Sequence, residues 1–329
     1  MSLVSLEKFV GNSHLVQRLR ARSLPQASLF TGPDGVGKQT LALSIAAEKN
    51  CKEKRENRPC GICSSCIKIA GGNHPDILLF QPEKRLIRID EMRRMNKEVQ
   101  FRPFEGRVRV FVVDQAETMT PEAANSILKT LEEPPETSRI ILVSAFPHRL
   151  LPTVRSRCQQ FSFLSLKREE IRSFLTEQAL EGDIELRCAL ARGSIGTALE
   201  INLKEKLEDR DRVLDVLENW LGQESFAQLY AKFELPPLRG DLKKRERVRS
   251  YLDLLQQVCE DLYFIHVETP NRVVHRDRFP DLEKLSRKLS LSLLVDLLYD
   301  IDQSRRALDQ YVSPLMCFET LWLMNRKGS

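Results

Sequence analysis

Residues 32–38 read Gly-Pro-Asp-Gly-Val-Gly-Lys, a G-x-x-x-x-G-K pattern, and nothing else in the chain restricts its fold as strongly. Such a pattern works in one context. A strand must deliver the chain to the loop and a helix must leave it, so that glycine-freed backbone N–H groups wrap an anion at the helix N-terminus. Both flanks comply. Residues 27–31 (ASLFT) are a short apolar run, and TLALSIAAEKN behind the loop has apolar residues at helical spacing. Gly32, Gly35 and Gly37 then free the backbone, and Lys38 is the residue that reaches β- and γ-phosphates.

Further strands follow at intervals. DILLF (76–80) and RIILVSA (139–145) are apolar runs of strand length. RVRVFVVD (107–114) is β-branched, and its VFVV end is apolar throughout, as a strand covered on both faces should be. Helical patterns lie between them, at 89–100 and in PEAANSILKTLEE, where Thr120 is the N-cap, Pro121 opens the helix and Pro134-Pro135 ends it. Strands alternating with helices over 1–163 predict an α/β domain with a mostly parallel, doubly wound sheet. Beyond 163 the strand signal ends. Amphipathic segments predict a small helical domain at 164–204 and a helical bundle at 205–329, with 236–250 as the most linker-like stretch. A length of 329 residues accommodates two or three domains.

Composition narrows the class without choosing a function. The chain is 42% hydrophobic and 29% charged, the balance of a globular protein, and its net charge of +5 permits contact with nucleic acid without demonstrating it. No uncharged apolar run reaches transmembrane length, and the opening MSLVSLEKFVGNSH lacks the apolar core of a signal peptide. The expectation is a cytoplasmic protein without membrane contact. In a reducing compartment, clustered cysteines point to metal rather than disulfides. Cys51, Cys60, Cys63 and Cys66 give C-x8-C-x2-C-x2-C, two overlapping C-x2-C steps that aim thiolates inward, with the fourth closing a tetrahedron around Zn²⁺. With no open ligand position, one structural zinc per chain is expected, and Lys52, Arg55 and Arg58 offset its negative charge. Four reduced thiols or an iron–sulfur cluster are the alternatives. Cys158, Cys188, Cys259 and Cys317 are dispersed, and Cys188 and Cys317 fall on apolar faces as core residues.

The phosphate loop carries a departure. A Ser or Thr hydroxyl after the lysine binds Mg²⁺ in nucleotide hydrolysis. Gln39 stands there, and Thr40 lies one step further, rotated by about 100° around the helix. A second departure closes the 107–114 strand. Asp114 occupies the position that holds the metal through water, but Gln115 stands where a water-activating glutamate is usual, and an amide is no useful base. Glu117 is nearby and expected to point elsewhere. Hydrolysis is therefore disfavoured, while nucleotide binding through the glycines and Lys38, with Gln39, Thr40 and Asp114 beside them, stays open. After the last strand comes Pro152-Thr153-Val154-Arg155-Ser156-Arg157-Cys158. Taken alone, Arg157 is a surface or ion-pair arginine. Behind a phosphate-loop sheet, a rim arginine can instead reach the γ-phosphate of a neighbouring subunit.

Together FTGPDGVGK (30–38), the four-cysteine insertion, MTPEAANSILKTLEEPP (119–135) and Ser156-Arg157-Cys158 resemble the clamp-loader branch of the AAA+ family. The likeness covers most of 1–163; residues 164–329 are similar only in helical character and length. It implies a RecA-like AAA+ domain at 1–163 with a zinc-binding insertion at 51–66, a helical lid at 164–204 and an oligomerising helical collar at 205–329. It implies gamma/tau and delta subunits as partners in a five-subunit ring, with the sliding clamp and primed DNA reached through the complex. It assigns Arg157 the arginine-finger role, in trans, at a gamma/tau site. Hydrolysing relatives carry Ser or Thr at the position of Gln39, Glu at that of Gln115, and an arginine in a G-S-x-R stretch that here is Gly193-Ser194-Ile195-Gly196. A polar sensor is expected near Ser144. These losses, and an end near residue 329 without a tau-type tail, favour a non-hydrolysing member. The alternatives are an ATP-hydrolysing gamma/tau-type subunit, in which Thr40 or Glu117 substitutes, and a zinc-containing DNA-binding module using basic runs such as Lys243-Lys244-Arg245.

Overall fold

The computed structural model describes residues 5–21, 24–53, 58–83, 85–180, 182–220, 225–233, 241–310 and 312–326. Arg55 and the 236–240 part of the linker-like stretch lie outside the described residues, as do the side chains of Lys243 and Lys244. Two compact units form, Met1–Glu200 and Ile201–Ser329.

The first unit is built on β1 (Ala27–Thr31), β2 (Ile77–Phe80), β3 (Arg109–Val113), β4 (Ser138–Ser144) and β5 (Gln159–Ser162). Described pairings are all parallel, in the order β2-β3-β4-β1-β5. Helix α1 (Ser13–Ala21) precedes the sheet; parallel neighbours require crossovers, and helices supply them: α2 (Lys38–Asn50), α3 (Ser64–Ala70), α4 (Ile89–Val99), α5 (Pro121–Ser126), α6 (Leu128–Glu132) and α7 (Pro152–Arg155). Interior strands β1 and β3 are buried along their whole length, including Ser28 and Thr31 of β1 and Arg109 of β3 beside their apolar residues. On one side of the sheet Phe30 packs against Phe161 and Phe163, with ring centroids 5.5 and 5.4 Å away. On the other, Met92, Met95 and Val99 of α4 join Phe111 and Ile127.

Three details differ from the sequence reading. Residues 241–250 of the linker-like stretch are the start of a long helix, Asp241–His266, whose charged residues fit a helix as well as a linker. The 121–133 helix is two short helices that meet at Ile127, a fully buried side chain. Strand β5 has no counterpart in the reading, because QQFS buries only Phe161.

Beyond β5, α8 (Arg168–Glu177), α9 (Ile184–Leu190) and α10 (Ile195–Glu200) complete the first unit. The second unit is helical, with α11 (Leu203–Asn219), α12 (Phe226–Lys232), α13 (Asp241–His266), α14 (Phe279–Ser286), α15 (Leu291–Asp309) and α16 (Pro314–Arg326). Helix α13 is its spine, packing on α11, α14 and α15, with Leu252, Leu255, Val258 and Leu262 buried. Its buried Asp209 is not left bare: Tyr251 donates to it at 2.9 Å, and Arg247 and Arg212 lie at 2.6 and 3.2 Å.

Candidate functional site: a phosphate loop closed by a helical segment

The loop begins where buried Thr31 ends β1. Gly32, Gly35 and Gly37 take φ of 140°, 70° and 92°, a region closed to most side chains, which explains glycine at each turn of the cradle. Gly37 then caps α2, whose first residue is Lys38. The Lys38 ammonium is buried and folds back on the loop, donating to the carbonyls of Gly32 and Pro33, both at 2.6 Å, with Asp34 at 3.8 Å. Burial holds its pKa below the usual lysine value, while Asp34, Glu117 and Asp114 pull it back up. Reaching a bound phosphate requires the ammonium to leave those carbonyls.

A cleft of about 520 Å³ surrounds the loop. Gln39 and Thr40 both border it. Asp114 and Gln115 border it from the end of β3. Burial raises the Asp114 carboxyl above the usual aspartate range, against an amide hydrogen bond from Gln81 at 3.3 Å and the nearby Lys38 charge. Gln115 adopts φ 50° and is exposed, presenting an amide where hydrolysis needs a base.

Glu117 is not among the residues that border the cleft; its Oε1 accepts from the Ala145 N–H at 3.1 Å, and its charge acts on Lys38 and Asp114. Ser144 ends β4 in register with Thr31, so it sits beside the start of the loop.

The helical segment 193–200 closes the site. The Gly196 N–H donates to the Gly35 carbonyl at 2.9 Å, and a Cβ on Gly196 would stand 2.9 Å from the Gly35 Cα. Ser194 Oγ accepts from the Thr197 N–H at 3.0 Å and lies 2.2 Å from where a Gly35 Cβ would be. No side chain fits between the two backbones. The position that carries an arginine in hydrolysing relatives is therefore a backbone contact here. Apolar walls complete the cleft, from Phe9, Val10, Val143, Phe174, Ile195 and Leu199. These were not picked out from sequence, where they read as ordinary helix and core residues. The Phe9 ring sits 2.9 Å from the position of a Gly37 Cβ.

Arg157 does not border this cleft. It follows α7 and is bound within its own chain: Nε donates to Glu132 Oε1 at 2.6 Å, Nη2 to the same oxygen, and Nη1 to the Thr153 carbonyl at 2.9 Å.

The four cysteines converge. Their sulfurs all lie within 4.8 Å of one another. Tetrahedral zinc with Zn–S of about 2.3 Å sets its sulfurs roughly 3.8 Å apart, and Cys60 and Cys66 are at 4.0 Å. The N–H groups of Cys63 and Cys66 point at the sulfurs of Cys60 and Cys63, at 3.3 and 3.5 Å. Burial alone would raise the Cys63 thiol, but donors from Cys66, Lys52 and Cys60 outweigh it and bring it down to about 6. The set is chemically ready to hold a metal ion.

A phosphate loop after β1, an acid ending the neighbouring β3, a hydroxyl ending β4 and a helical segment folded onto the loop define an AAA+ P-loop domain. Comparison with known proteins is more specific. The family model described as "DNA polymerase III, delta subunit" matches residues 11–167. The DNA polymerase III subunit delta' of Bacillus subtilis is 27% identical over 306 residues, covering 93% of this chain and 92% of that protein. That of Pseudomonas aeruginosa is 35% identical over 213 residues, 63% of this chain and 64% of that one. The Bacillus subtilis subunit tau is 26% identical over 97% of this chain but only 57% of its own length. The chain is thus similar to DNA polymerase III delta-prime subunits, over nearly its whole length in the Bacillus subtilis case.

Proposed function

We propose that the chain is a non-hydrolysing subunit of a bacterial clamp loader, and that it donates Arg157 in trans to a neighbouring ATPase subunit. The observation that carries this reading is a division within one domain. The phosphate cradle is intact, yet Gln39, Gln115 and Gly196 stand at the three positions where hydrolysis needs a hydroxyl, a base and an arginine. Arg157 is kept, away from its own cleft. An arginine that cannot serve its own site is available to another.

The partners in this reading are gamma/tau and delta subunits in a five-subunit ring, acting on the sliding clamp and primed DNA in the cytoplasm. Residues 164–204 act as the lid and 205–329 as the collar. The collar assignment draws on α15, which exposes Leu291, Val295 and Tyr299 at four-residue spacing on one face. One Zn²⁺ held by Cys51, Cys60, Cys63 and Cys66 stiffens the insertion without touching the chemistry. Gly32, Gly35, Gly37, Lys38, Gln39, Thr40 and Asp114 would receive ATP or ADP, passively.

A second reading has one observation in its favour. The Glu117 carboxylate, whose charge acts on Lys38 and Asp114, could replace the missing base and make the chain a gamma/tau-type ATPase. ATP turnover by the isolated chain separates the two. The proposal expects none. Turnover that Glu117→Gln and Lys38→Ala both abolish would establish the second reading.

A further inference from the structure

The Arg157 side chain is held by a contact whose contribution to stability does not account for it. Arg157 and Glu132 are 30% and 47% exposed, and ion pairs this open add little to folding. Its geometry is more telling. Both bonds to Glu132 use the Nε–Nη2 side of the guanidinium and converge on one carboxylate oxygen. The third bond ties Nη1 to a backbone carbonyl, that of Thr153 in α7. Glu132 is the last residue of α6, fixed by the turn into Pro134-Pro135. Two rigid helix ends thus grip the guanidinium from two directions.

A guanidinium has five N–H donors. Three are used among the described residues, which leaves one on each terminal nitrogen. Such a pair is what two oxygens of a phosphate accept together. The grip therefore consumes the donors a phosphate does not need and leaves those that it does. A free arginine on a flexible stem would have to be ordered at the moment of use.

We propose that Glu132 is a positioning residue, which holds the Arg157 guanidinium in the orientation it uses on the neighbouring subunit's nucleotide. This rests on the arginine-finger reading above. Glu132 touches no substrate; it acts through Arg157.

The test is a double-mutant cycle in the assembled loader, with clamp, primed DNA and an ATPase-competent gamma/tau partner. Steady-state ATP turnover is read for the wild type, Glu132→Ala, Arg157→Ala and the pair. Misaimed groups lose about tenfold or more in rate, so Glu132→Ala should lower kcat by about tenfold with the KM for ATP unchanged. Glu132→Gln, which keeps an acceptor oxygen, should lose less. In the Arg157→Ala background, Glu132→Ala should change nothing further, whereas a merely structural role would cost activity in both backgrounds. Thermal unfolding of each variant chain checks that the fold is kept, and Glu132→Gln serves if the alanine variant is unstable. Full activity of Glu132→Ala beside a weakened Arg157→Ala would overturn the positioning role and leave the finger standing. Raised activity would also overturn it, since Glu132 would then be withholding the arginine. Unchanged activity of Arg157→Ala would overturn both.

Discussion

Gly196→Arg restores the arginine of hydrolysing relatives, and the geometry argues that the fold will not accept it. The new Cβ would lie 2.9 Å from the Gly35 Cα, and the opposing atom belongs to backbone that cannot rotate aside. Overpacking of this kind costs about 1–3 kcal/mol. If the segments part to relieve it, the 2.9 Å Gly196 N–H to Gly35 carbonyl bond goes as well, a loss of about 1 kcal/mol. The sum is about 2–4 kcal/mol, which lowers Tm by roughly 10 °C in a unit of about 200 residues. Because the clash starts at Cβ, Gly196→Ala should show most of the effect. Scanning calorimetry of the full chain measures both. Expected are a lowered first transition and no gain of ATP turnover. Variants that melt with the wild type, or a Gly196→Arg chain that hydrolyses ATP, would refute the claim that backbone contact closes the loop.

Two other perturbations have worked outcomes. Asp76 is fully buried and accepts from the N–H groups of Phe104, Glu105 and Gly106 at 2.7, 2.9 and 2.7 Å; burial pushes its carboxyl up, but these bonds prevail and hold it below the usual aspartate value. Its stabilisation is then full above the unfolded pKa of about 3.9 and is lost as pH falls through the lower folded value. Asp76→Asn sets an amide N–H against N–H donors and should cost about 2–4 kcal/mol at neutral pH; a wild-type minus variant difference in Tm that fails to shrink below about pH 4 contradicts the account. Metal analysis of the full chain should return one zinc, released by strong chelation together with protease cleavage in 51–66, and lost in Cys63→Ser; a chain without metal that resists cleavage there would remove zinc from the account.

The parts of the site that were legible in sequence share a cause. Gly32 to Lys38 needs strand, loop and helix in one order, and the flanking runs could satisfy no other. Strand β3 was legible because burial on both faces demands continuous apolar residues. Strand β5 was not, because an edge strand burying one side chain needs no such pattern. The break at Ile127 left no mark either, since both halves of the helix keep helical composition. The bond from the Ala145 N–H to Glu117 was not legible, because it depends on the 3-10 turn at 116–118 and on the residue that follows β4, neither visible in local sequence. The meaning of Gly196 needed coordinates most of all: sequence shows a missing arginine, and only the fold shows that the backbone of Gly35 occupies the space.

The most direct test of a passive subunit that supplies a finger is ATP turnover by the assembled loader carrying either Arg157→Ala or Lys38→Ala in this chain alone. The account predicts that Arg157→Ala sharply lowers DNA-stimulated turnover while Lys38→Ala leaves it near the wild-type rate. The reverse pattern, with Lys38→Ala disabling and Arg157→Ala silent, would make this chain one of the motors and contradict the account.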